Sequence, residues 1–207
     1  MGKATDGKPA GGFSRRTVLG GAVSATLIPL GACTTPVGEP PQRALTREAW
    51  LILEAFTDRL IPADSNGPGA VAAGVPYYID SSLANWNAGE RDTLSEGLFA
   101  LTRAARSRYD RDFQLLPDAN KDELLMAMEA GSIAGFDNAA DIFNRLHRLT
   151  LEGMFSDPYY GGNQDYIGWD LIGYPGAVMA STPEMQRMGG RLPPLHTSAY
   201  GSDYDGE

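Results

Sequence analysis

Asn138-Ala139-Ala140-Asp141-Ile142-Phe143-Asn144-Arg145-Leu146-His147-Arg148-Leu149-Thr150-Leu151-Glu152-Gly153-Met154 decides the fold class. Ile142, Phe143, Leu146 and Leu149 recur at three- and four-residue spacing, which sets them on one face of an α-helix. No stretch of the chain alternates apolar and polar residues with the period of two that a half-buried strand needs. The spacing therefore predicts a mainly α protein, a compact helical domain of about five helices, with room for short strands only among the aromatic residues after Phe155.

Working towards the N-terminus, residues 118–131 read as a helix capped by Asp118 or Asn120, carrying Leu124, Leu125 and Met128 and stopped by Gly131. Residues 90–113 read as one long amphipathic helix, with Leu94, Leu98, Leu101 and Ala105 on the stripe and Arg103, Arg106, Arg108 and Arg111 outside it. A helix with Pro76 in its first turn carries Tyr78, Ile79, Leu83 and Trp86. Before it, Thr46 caps a helix bearing Trp50, Leu53, Phe56 and Leu60, which Pro62 ends. Pro62, Gly67, Pro68, Gly69 and Gly74 make the loop between these two irregular.

Four domain-level segments follow: a signal peptide with a lipobox-like end at 1–33, a Pro-rich linker at 34–45, the helical domain at 46–176 and a flexible tail at 177–207. In the signal, Ser14-Arg15-Arg16-Thr17-Val18-Leu19 opens an apolar run at 18–30. That run has 13 residues, includes Gly20, Gly21 and Pro29, and falls short of the roughly 20 apolar residues of a membrane span. Arg15 and Arg16 ahead of it read as a twin-arginine signal, which exports proteins already folded; the competing reading is a plain secretory signal with a chance arginine pair. Leu30-Gly31-Ala32-Cys33 resembles a lipobox, with Cys33 lipidated at the mature N-terminus. A stray thiol beside a cut elsewhere is the alternative. The expected location is the bacterial periplasm, associated with the membrane through that lipid.

The single cysteine excludes disulfides and thiolate metal sites within the chain. Of the basic residues, Lys3, Lys8, Arg15 and Arg16 lie in 1–32, against Asp6 alone among the acidic ones, so the remainder is more acidic than the formal −9 of the whole chain, at about −12. Nucleic-acid binding, which depends on Lys and Arg neutralising phosphates, does not suit such a surface. His147 and His196 form no ligand pair and read as a partly buried helix residue and a residue of the loose tail. Nucleophile, dinucleotide and phosphate-loop motifs are missing, so the residues offer no active site, metal or cofactor of their own.

One block stands out: Thr150-Leu151-Glu152-Gly153-Met154-Phe155-Ser156-Asp157-Pro158-Tyr159-Tyr160-Gly161-Gly162-Asn163, then Gly168-Trp169 and Ile172-Gly173-Tyr174-Pro175-Gly176. Its glycines, aromatics and amides suit a rigid recognition loop, with Phe155, Asp157, Tyr160, Gly161, Gly162, Asn163, Trp169, Tyr174 and Pro175 as candidate partner-binding residues. Two other readings stand beside it. The aromatics close the helical core, or Asp157, Asn163 and Asp165 hold calcium.

Together with Asp58-Arg59-Leu60-Ile61-Pro62, Gly67-Pro68-Gly69-Ala70 and Gly74-Val75, this block resembles the gluconate 2-dehydrogenase subunit 3 family over roughly 46–176. The resemblance implies a small subunit without a redox centre, bound to a large FAD-containing dehydrogenase subunit of the glucose–methanol–choline type. It further implies that the small subunit assists maturation of the large one and carries it through the twin-arginine translocase, with electrons leaving by a cytochrome c subunit holding haem c or by another acceptor. Choice of sugar or polyol would rest with the large subunit. A free-standing envelope lipoprotein that binds a ligand or scaffolds other proteins is the alternative.

Overall fold

Thr46 begins the first helix as its residue type predicts: its hydroxyl oxygen accepts the Ala49 N–H at 3.2 Å, with Glu48 in the first turn. The computed structural model describes residues 44–183, 185–187 and 192–201. Arg15, Arg16, Cys33 and nearly all of the linker lie outside the described residues. Six α-helices follow in order: α1 (Arg47–Leu60), α2 (Val75–Ala84), α3 (Arg91–Tyr109), α4 (Asp118–Glu129), α5 (Ala139–Phe155) and α6 (Ile167–Ile172). Short 3₁₀ turns fill several connections, and no strand forms among the described residues.

The helical face quoted first is the spine of the core. Ile142, Phe143, Leu146 and Leu149 are buried, and α5 packs against α1, α2, α3, α4 and α6. Each such side chain taken out of water contributes about 1.5–3 kcal/mol. Phe56 from α1 meets Phe143 edge-on at 5.9 Å, and Tyr78, Ile79 and Leu83 bring α2 onto the same core. None of the helices is long and apolar enough to cross a membrane among the described residues.

Three boundaries differ from the sequence reading, each for a local reason. The long helix expected over 90–113 stops at Tyr109 because Asp110 turns left-handed (φ 53°), and Phe113 enters the core from a separate 3₁₀ turn. Neither Asp118 nor Asn120 caps α4: Pro117 occupies the cap position, and Asp118 sits inside the first turn, where its charge still suits the helix dipole. Trp86 lies past the end of α2, beyond the Asn85 cap, and is 54% exposed. The stop at Gly131 is as expected: its N–H reaches Met128 O and that of Ser132 reaches Ala127 O, a Schellman closure.

Polar clasps fix the helices' mutual positions. Arg59 grips Asp122 with two parallel bonds of 2.8 Å and reaches Asp118 at 3.1 Å, joining α1 to α4. Its guanidinium holds the Asp122 carboxyl below the usual carboxylate range. Arg145 of α5 pairs with Glu90 at the start of α3. The arginines outside the α3 stripe make exposed pairs, Arg103 with Glu96 and Arg108 with Glu123, each worth about 0–1 kcal/mol.

The chain enters the domain at a buried carboxylate. Asp80 on α2 is fully buried, and its Oδ1 accepts the backbone N–H groups of Leu45 at 2.7 Å and Ala44 at 3.2 Å. Asp80→Ala leaves those donors without that acceptor, and the expected loss is about 1–3 kcal/mol, measured by urea unfolding.

Candidate functional site

The last turn of any α-helix leaves carbonyl oxygens without intrahelical partners. At the end of α5 the Gly/aromatic block supplies them. Asn163 N–H donates to Gly153 O at 2.8 Å, Trp169 Nε1 donates to Phe155 O at 2.9 Å, and Asn163 Nδ2 donates to Ser156 O at 2.9 Å. The other end of the Asn163 amide accepts the Gly168 N–H at 2.8 Å and the Trp169 N–H at 3.4 Å, which caps the first turn of α6. One fully buried side chain thus joins the end of α5 to the start of α6.

This closure leaves no space for side chains at two glycines. A Cβ at Gly162 would collide with Gly153 O, and one at Gly168 with Met154 O. Asn163, Asp165 and Tyr166 all take positive φ, between 46° and 60°, to bring the chain round so tightly.

Residues 192–201 then return across the block, which differs from the loose tail expected at 177–207. Leu195 N–H donates to Pro175 O at 2.7 Å and Ala177 N–H to Thr197 O at 2.8 Å. Asp157 receives the Ser198 hydroxyl at 2.7 Å, the Ala199 N–H at 2.8 Å and the Tyr159 N–H at 3.0 Å. His196, expected to lie in a loose Pro-rich tail, bonds Asp170 Oδ1 at 2.7 Å and stacks on Tyr166 at 4.7 Å. Tyr200 stacks on Tyr159 at 4.2 Å, and its hydroxyl meets that of Tyr160 at 2.6 Å.

The two readings of the block therefore divide between different residues. Gly161, Gly162, Asn163 and Trp169 are buried and close the helix end, Asp157 and Pro175 hold the returning segment, and Phe155 is half-buried. Tyr160 and Tyr174 stay exposed at 39% and 43%. They belong to a wider apolar rim with Trp86, Leu151, Tyr159, Ile172 and Tyr200. Calcium ligation finds no support in this geometry, since the Asn163 carbonyl and the Asp157 carboxylate already accept the protein donors named above. His147 is half-buried on α5 with its ring 5.9 Å from Phe143.

A cleft of about 610 Å³ opens along the rim, bordered by Tyr78, Trp86, Leu151, Glu152, Phe155 and Tyr160. Glu152 accepts the Tyr78 hydroxyl at 3.3 Å. Burial, and after it the charge of Glu152, pushes the Tyr78 phenol up to about 12. The sequence reading missed Trp86, Leu151, Glu152, Tyr159 and Tyr200 as members of this surface. Trp86 continues the α2 stripe in spacing, and only Asn85 hints that the helix has ended.

The Gluconate 2-dehydrogenase subunit 3 family model matches residues 47–176. No curated protein and no solved structure gave a match. The marks of the resemblance have structural work in this fold: Arg59 clasps α4, and Gly69 packs directly on Ile61 O.

Two outcomes follow from this geometry. Asn163→Ala breaks the bridge between α5 and α6 and costs about 1–3 kcal/mol for each buried group left unpaired, read by urea unfolding. In alkaline titration followed by tyrosinate absorbance, one tyrosine ionises near 12, and Glu152→Gln lowers it part of the way because burial remains. Since the fold keeps this phenol neutral, its contribution to stability is complete below the ordinary tyrosine value of about 10 and is lost as pH rises through about 12.

Proposed function

This chain belongs to the gluconate 2-dehydrogenase subunit 3 family, and we propose that it is the non-catalytic small subunit of a periplasmic FAD-dependent sugar or polyol dehydrogenase. In this reading it binds a large flavoprotein of the glucose–methanol–choline type, assists its folding and carries it through the twin-arginine translocase. FAD sits in the large subunit, and haem c, where a third subunit is present, in a cytochrome.

The observation that carries the reading is the apolar rim. Trp86 at 54%, Tyr159 at 51%, Ile172 at 57% and Tyr200 at 57% exposure are large side chains held by the end of α2, the closed loop after α5, α6 and the returning segment. Exposed apolar groups gathered on a rigid support favour a protein partner. Family membership supports the same role, since the family is that of a small subunit of a dehydrogenase complex.

For export, Arg15 and Arg16 are the signal and Cys33 the lipid attachment point, which would leave the complex on the periplasmic face of a membrane. The chain would then serve as export signal and anchor for a partner that has neither.

A tagged full chain purified from its native membranes should retain a protein with the absorbance of FAD. Capture without any flavoprotein defeats the proposal. Lys in place of both Arg15 and Arg16 should hold that flavoprotein in the cytoplasm, as measured by dehydrogenase activity in cell fractions; unchanged periplasmic activity would count against the escort role.

A further inference from the structure

We propose that the cleft between α2 and the end of α5 receives an arginine or lysine side chain from the flavoprotein, laid against the aromatic wall of Trp86 and Tyr160 and paired with Glu152. This inference rests on the subunit reading and names the chemistry of its contact.

Three aromatic rings form the cleft wall: Trp86 lies 6.0 Å from Tyr78 and 6.2 Å from Tyr160, both pairs tilted rather than stacked. Rings that do not stack leave part of their faces uncovered by one another, and ring faces attract cations. Trp86, the strongest such ring, is also the most exposed of the three. Leu151 and Phe155 add apolar lining, which suits the methylene stem of a basic side chain.

Charge supplies the second argument. Arg145 is committed to Glu90 by two contacts and reaches Glu152 only at 3.9 Å. The group Glu90, Arg145 and Glu152 therefore carries one negative charge in excess. Glu152 borders the cleft, and among the described residues its close donor is the neutral Tyr78 hydroxyl at 3.3 Å. Arg148, one turn earlier on α5, lines the neighbouring depression with Asp141, Asn144 and His147. The Ser156 hydroxyl, buried and without a hydrogen-bond partner among the described residues, borders the same cleft.

The volume fits this occupant. About 610 Å³ exceeds what one basic side chain fills, so the cation enters with apolar neighbours of the same partner segment over Leu151 and Phe155. A pocket with an aromatic anchor and a desolvated charge pair at its centre has the make-up of a binding hot spot.

The test uses the full chain with its flavoprotein. Dissociation constants are measured for wild type, Glu152→Gln, Glu152→Lys, Trp86→Ala and the α4 charge reversal Glu129→Lys, with circular dichroism and urea midpoints confirming that each variant folds. Glu152→Lys and Glu152→Gln are expected to weaken the complex by about tenfold or more and Trp86→Ala by about threefold or more, with Glu129→Lys near wild type. A photo-crosslinker replacing Tyr160 should join a flavoprotein segment that contains a basic residue, and reversing that residue's charge should restore binding to Glu152→Lys. A wild-type chain that retains no flavoprotein overturns the subunit reading itself. Retention that Glu152→Lys and Trp86→Ala leave unchanged, or a crosslink to a second copy of this chain, to its own residues 34–43 or to a segment without a basic residue, overturns the cation site and leaves the subunit reading standing.

Discussion

Everything after residue 155 depends on how the free carbonyls at the end of α5 are satisfied. A helix that is buried on most sides cannot leave its last carbonyls to water, so other groups must reach them. Here the groups are an amide N–H, an amide side chain and an indole, all supplied within residues 163–169. Meeting these acceptors requires the chain to turn back within a few residues of the helix end. That tight return takes Asn163, Asp165 and Tyr166 into positive φ and excludes a Cβ at Gly162 and Gly168. The composition of the block, rich in glycine, amide and aromatic residues, is the chemical statement of this single requirement.

Closure and display are then two faces of one construction. With Asn163 and Trp169 turned inward, their neighbours in sequence are held outward: Tyr159 and Tyr160 on one side of the turn, Ile172 and Tyr174 on the other. Aromatic residues on a mobile loop would lose much of their contact energy to ordering on binding, whereas those fixed by a hydrogen-bonded frame do not. The rim is thus pre-organised by interactions that never touch a partner.

The helical core was legible in the sequence because each of its signals is local. The stripe Ile142, Phe143, Leu146 and Leu149, the Thr46 cap and the Gly131 stop all depend on residues within a turn or two of each other. Phe113 escaped because the αL turn at Asp110 is made by a residue type that tolerates that conformation without announcing it. The division of the Gly/aromatic block into buried and exposed halves was not legible either. Trp169 and Tyr174 are alike in type and five residues apart, and only the position of Phe155 O decides which turns inward. Tyr200 lies 40 residues from its partner Tyr160, a separation at which periodicity carries no information.

The returning segment gives the rim a place in time. Asp157 is joined to Ser198 and Ala199 across 41 and 42 residues, and Tyr159 stacks on Tyr200. During synthesis from the N-terminus, α1 to α5 can pack while the tail is still inside the ribosome, but this part of the surface is finished only when residue 200 has emerged. The helical core is therefore the early product of translation, and the complete aromatic face is a mark that synthesis has passed residue 200.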